Sequence, residues 1–142
     1  MKRYSFKDTI MVINGLEVTG WAEGDDAITI ERRADSATDK VGAGGEMMVS
    51  ISADRSGSVK IKLQQTSSSN KWLMAMLALQ EAGCSSFVPI ACMFQDTYRN
   101  DLAAGTSGYL KKPPSMTRGA EAGTQEWEVI VERLDLLFGD VF

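Results

Sequence analysis

Apolar and polar residues alternate along most of the chain, and a period of two marks strands. Tyr4, Phe6, Ile10 and Val12 share one parity, and Leu16 and Val18 resume the alternation after Asn14-Gly15, the strongest short hairpin signal. Ile28 and Ile30 alternate with Thr29 and Glu31. Met47, Val49 and Ile51 alternate with Glu46, Ser50 and Ser52, and Val59, Ile61 and Leu63 with Ser58, Lys60, Lys62 and Gln64. Between the last two runs, Ala53-Asp54-Arg55-Ser56-Gly57 has turn chemistry, Asp early and Gly at its end, so residues 46–64 are expected to form one hairpin with a clean apolar face.

A helix is predicted over about 70–82. Ser67-Ser68-Ser69-Asn70 offers N-cap residues, Gly83 offers a stop, and Leu, Met and Ala fill the interval. It is apolar nearly all round, whereas a helix lying on a monomer's surface carries a polar stripe. Trp72, Leu73, Met76 and Leu77 are the candidate packing and interface residues. A second subunit, or a sheet wrapping several sides, is expected to cover the rest.

Strand character returns over 88–94, while 100–123, rich in Gly, Ala, Ser, Thr and Lys, reads as irregular strands and loops. Trp127, Val129 and Val131 alternate with Glu126, Glu128 and Glu132, and the parity then flips to Leu134, Leu136 and Phe138. Such a flip marks a bulge or a strand that changes sheet. The expected fold is mainly β: one domain over 1–142, two packed antiparallel sheets as a sandwich or barrel, and one flanking helix.

Composition removes most chemistry. The 142 residues carry a net charge of −4 and no histidine, so Ser-His-Asp and Cys-His catalysis and His-based metal sites are excluded within the chain. The acidic balance argues against a nucleic-acid-binding domain. Cys84 and Cys92 are expected to be free thiols. Gly42-Ala43-Gly44-Gly45 lacks the Lys-Ser/Thr of a phosphate loop and opens a strand. Asp25-Asp26 and the Asp35/Asp39 pair lack calcium-loop spacing, and Ser107 has no histidine to activate it. No catalytic, cofactor or metal residue is therefore assigned. With no apolar leader and no span of bilayer length, the chain is expected to be made in a cytoplasm and not to insert in a membrane.

One positive feature remains. Residues 32–45 are expected to form a long extended loop between two strands, beyond usual hairpin-loop lengths, with both signs of charge. Arg32, Arg33, Asp35, Asp39, Lys40 and Val41 are its candidate contact residues.

The ordered blocks Tyr4–Asp8, Gly24–Glu31, Gly42–Met48, Asp54–Leu63 and Thr66–Asn70 resemble the tail tube proteins of contractile-tailed bacteriophages. The resemblance covers nearly the whole chain and is densest from Tyr4 to Leu79. It implies a fold similar to the ring protein of type VI secretion and to contractile bacteriocin tubes. It further implies six copies per ring, rings stacked into a hollow tube inside a sheath, and baseplate and tail terminator proteins as partners. The 32–45 loop would then contact a neighbouring subunit and the adjacent ring. The resemblance places the protein in the virion tail, assembled in the host bacterial cytoplasm, with DNA passing through without specific binding. Glu126, Glu128 and Glu132 become candidate lumen-facing carboxylates, since like charge repels phosphate. A contractile bacteriocin or secretion tube is the nearest alternative, and a small β-barrel ligand-binding module is the rival of another class. An enzyme is the least favoured reading.

Overall fold

The computed structural model describes residues 1–139. After a single 3-10 turn over Phe6–Asp8, the strands β1 (Thr9–Ile13), β2 (Leu16–Glu17), β3 (Ile28–Arg32), β4 (Ala37–Val41), β5 (Met47–Ile51) and β6 (Gly57–Gln64) lead to α1 (Ser69–Ala82). β7 (Ile90–Asp96), β8 (Leu102–Leu110) and β9 (Thr124–Leu137) complete the chain. The expected mainly β, antiparallel architecture with one helix is what forms.

Seven strands make a single sheet in the order β2-β1-β7-β8-β9-β6-β3. The sheet curls until Met11 of β1, Ile30 of β3, Val59 of β6, Cys92 of β7 and Leu134 of β9 line one small gap. The expected two layers therefore come from one sheet folded over a common core. The curl is closed at one end, where the chain beyond β2 crosses over, Trp21 bridges to Leu63 and the Ala22 N–H donates to the Lys62 carbonyl at 2.9 Å. At the other end it stays open.

Several local readings hold for physical reasons. Asn14 and Gly15 both take positive φ, 50° and 83°, which is what a tight β1–β2 turn requires. β9 pairs with β6 only as far as Val131 but with β8 out to Leu137. The parity flip falls where it leaves β6, with Glu132 and Arg133 both exposed before buried Leu134.

Others are corrected. Residues 32–45 are not one extended loop: β4 lies inside them and pairs with β5, Val41 opposite Met47 and Ala37 opposite Ile51. The expected 46–64 hairpin does not form. The Asp54 turn is real, its carboxylate accepting from the Ser56 N–H at 2.9 Å and hydroxyl at 2.7 Å, but it connects strands of different sheets. In β1 the buried parity is Met11 and Ile13, not Ile10 and Val12. β8, read as irregular, is a nine-residue strand. Its small residues are required there: a Cβ on Gly105 would meet Val131 at 2.8 Å, and one on Gly108 the Ile90 and Ile130 carbonyls at 2.9 Å.

Candidate assembly surfaces

α1 lays one face on the core. Leu73 and Leu77 are buried, and Trp72 and Met76 are half-buried against the same cluster. Two side chains fasten it to the sheet. Asn70 accepts from the Trp127 indole N–H at 2.9 Å, and Gln80 exchanges two hydrogen bonds with the Leu110 backbone at 2.9 and 3.0 Å. No sequence pattern signals either bond, because each depends on where helix and sheet meet. Met74, 46% exposed, and Leu79, 50% exposed, lie on the outer face, so the apolar helix has a buried side and an uncovered apolar side.

The outward face of β3, β6, β9 and the end of β8 is polar. Glu126 and Glu128 stand on it, each directly opposite a lysine, Lys62 and Lys60. Lys111 approaches Glu128 at 3.5 Å and Lys62 binds Asp26 at 2.7 Å. That last pair holds the Asp26 carboxyl below its ordinary range, through the hydrogen bond and the lysine's charge, and raises Lys62 in return. Glu126 and Glu128 thus belong to a ladder of opposite charges, and Glu132 sits apart from it beyond β6, at the flip in β9.

The β4–β5 hairpin stands uncovered. Every residue of both strands is exposed, Ile51 to 84%. Ala37, Val41, Met47, Val49 and Ile51 share one face with Asp39, and Thr38, Lys40, Met48 and Ser50 share the other. The tip turns through Gly42–Glu46, where Gly45 has φ 84° and the Gly42 N–H donates to Glu46 at 2.7 Å. The candidate residues in this region divide. Asp39, Lys40 and Val41 ride on β4, while Asp35 stands in the exposed approach to it. Arg33 ties the base through its N–H to the Ser56 carbonyl at 3.1 Å. Arg32 faces its own chain: its Nε and Nη2 donate to the Leu134 carbonyl at 3.1 and 2.9 Å, and it reaches Asp135 at 3.9 Å.

The open end of the curled sheet forms a groove of about 430 Å³ between β3 and the ends of β7, β8 and β9. Phe6, Ile28, Ile30, Phe94, Leu137 and Phe138 give it an apolar floor. Sequence reasoning missed it, since its walls come from five separate segments. Among the described residues no group of three or more Cys, Asp or Glu side chains is placed to hold a metal ion. Cys92 is buried, which pushes its thiol up to about 12, and Cys84 is exposed.

The sequence matches the family model for the bacteriophage PhiTE tail tube protein over residues 1–139. No curated protein matches it. Among solved structures, it is similar to the sheath/tube terminator of an extracellular contractile injection system, PVC, in its extended state, with a TM-score of 0.65 and 7% identity over 96% of this chain and 98% of that one. The tube-terminating cap of the anti-feeding prophage gives 0.61 and 11% identity over 98% and 93%. A chain of the PVC sheath-tube complex gives 0.60 and 7% over 96% and 92%. At these identities the likeness is one of fold.

Proposed function

Because the chain belongs to the bacteriophage PhiTE tail tube family, we propose that this tail structural protein builds a hollow tube from stacked rings of six copies, through which DNA reaches the host. The carrying observation is the hairpin, whose apolar face is left uncovered by the described residues of the subunit. A monomer gains nothing from five exposed strand residues of that kind, and exposed apolar surface is where association occurs. A ridge on one side of a subunit meeting a different surface on the next is a heterologous contact, which closes rings or propagates filaments. The uncovered side of α1 faces the sheath, and the charge-paired outward sheet face is the wall past which DNA slides, its lysines held by their carboxylate partners. No catalysis is part of this role.

A second reading rests on the two terminator-like neighbours: a protein that caps a tube and does not extend it. Negative-stain electron microscopy of the purified protein separates the two. Tubes many rings long support the tube reading, and single rings that never elongate support the cap. A strictly monomeric protein at millimolar concentration rules out both.

A further inference from the structure

The hydrogen-bonding parity of the β3 and β5 edges is the same. In β3, the Lys62 N–H donates to Ala27 and the Arg33 N–H to Ser56. The pairs between them, Thr29–Lys60 and Glu31–Ser58, therefore exchange the ladder bonds. Ile28, Ile30 and Arg32 turn their backbone N–H and C=O away from β6, to the open edge. In the hairpin, the Gly42–Glu46 and Ser36–Ser52 bonds frame the ladder, so Lys40–Met48 and Thr38–Ser50 exchange bonds. Met47, Val49 and Ile51 turn their backbone groups outward.

Apart from Arg32, the outward residues of each edge are apolar. Ile28 and Ile30 floor the groove, and Met47, Val49 and Ile51 make the apolar face of the hairpin. Residues directly opposite in an antiparallel pair put their side chains on the same face. Joining the two edges therefore satisfies both rows of backbone groups and lays both apolar faces over the same groove. An edge of either strand with the other parity would bury one face and expose the other.

We propose that β5 of one copy adds as an antiparallel strand to the free edge of β3 in the next copy. Val49 stands opposite Ile30, Ile51 opposite Ile28 and Met47 opposite Arg32, with the apolar side chains over the groove floored by Phe6, Phe94 and Leu137. The inference rests on the tube-building reading and names the surface that receives the hairpin. The occupant is a second copy of this chain. The hairpin's own β3 cannot receive it, because β4 and β5 extend from the end of that strand. Asp39, the one charge on the hairpin's apolar face, lies on β4, one strand further from the acidic groove rim at Asp25 and Asp101. Main-chain pairing of this kind supplies affinity, and pockets for alternate side chains supply specificity.

Mixed single-cysteine proteins test the register. Hydrogen-bonded partners stand about 5.5 Å apart between Cα atoms, inside the roughly 4.4–6.8 Å range a disulfide accepts. In a Cys84→Ser background, Ile30→Cys mixed with Val49→Cys should oxidise to a covalent dimer, while either protein alone, or Thr29→Cys mixed with Val49→Cys, should not. No dimer from the first mixture, in proteins that still form tubes, overturns the pairing and leaves the tube reading standing. Absence of any assembly by the unaltered chain removes both. Val49→Pro provides a second measurement. Its missing N–H faces outward, so the β4–β5 ladder keeps its bonds. The variant should keep the parent's melting temperature within a few degrees yet need at least tenfold higher concentration to assemble; assembly at the parent's concentration overturns the proposal.

Discussion

The β4–β5 hairpin and the β6–β9 pair have the same sequence grammar and opposite fates. Val59, Ile61 and Leu63 alternate with polar residues, as do Met47, Val49 and Ile51. The first set is buried to 2% exposure or less, against Trp127 and Val129. The second set is at least 61% exposed. Alternation specifies a strand and the side it offers. It does not say whether the cover comes from the same molecule. In the proposed tube, that cover would come from a neighbouring copy.

The sharpest way to break that contrast is to cut equivalent side chains in both regions. Leu63→Ala or Leu73→Ala should cost about 2–5 kcal/mol in denaturant unfolding, since each leaves a cavity in a closed core. Ile51→Ala should change subunit stability by less than about 0.5 kcal/mol, as surface substitutions do, while preventing tube formation in micrographs. A loss of several kcal/mol from Ile51→Ala would mean the hairpin is packed within its own subunit. Replacing residues 36–52 by a short Gly-Ser link should likewise leave a folded subunit that makes no long tubes, and normal tubes from it would remove the hairpin from assembly.

α1 repeats the contrast on one element. Met76→Lys places a charge against the core cluster and should destabilise by about 1–3 kcal/mol, whereas Met74→Lys on the outer face should leave unfolding nearly unchanged. Equal losses for both would show a helix covered on all sides. The two thiols report covering more gently. At pH 8, Cys84 should react with a disulfide reagent within minutes in the native protein, and Cys92, with its raised pKa, only on unfolding. Rapid titration of two thiols would contradict the packed barrel.

The smallest effect lies in the charge ladder. Asp26 is held below its ordinary 3.8, so its contribution is present above that value and is lost as pH falls through the lowered one. Lys62 is raised above 10.5, so its contribution is complete below that value and is lost as pH rises through the raised one. Asp26→Asn should flatten both ends of the stability–pH profile slightly. An unaltered profile would show that the pair is too solvated to register.

What the chain discloses before folding follows the same division. α1 was legible nearly to the residue, because Gly83 and a run of strong helix formers act locally; at its start Ser68 makes no capping bond, and the Ser67 hydroxyl accepts from the Ser69 N–H instead. The Asn14-Gly15 turn and the parity flip in β9 were legible for the same reason. Pairing partners were not. β5 and β6 flank a good turn and share a pattern, and only the third dimension assigns β5 to β4 and β6 to β3 and β9. β8 was hidden because Gly105 and Gly108 are there to let β9 approach, so the strand lacks the branched residues that advertise one. The groove was beyond reach, being a property of the sheet's curl.

The double hydrogen bond from Arg32 to the Leu134 carbonyl sits where the hairpin leaves the sheet. Five strand residues at about 3.4 Å each give an arm of about 17 Å, clamped at its root and free along its length. Such an arm is a cantilever. A rotation of about 10° at the root carries the tip about 3 Å, close to one residue's rise in a strand. A filament whose units hold one another by arms of that reach bends by flexing many roots slightly, with no joint having to open.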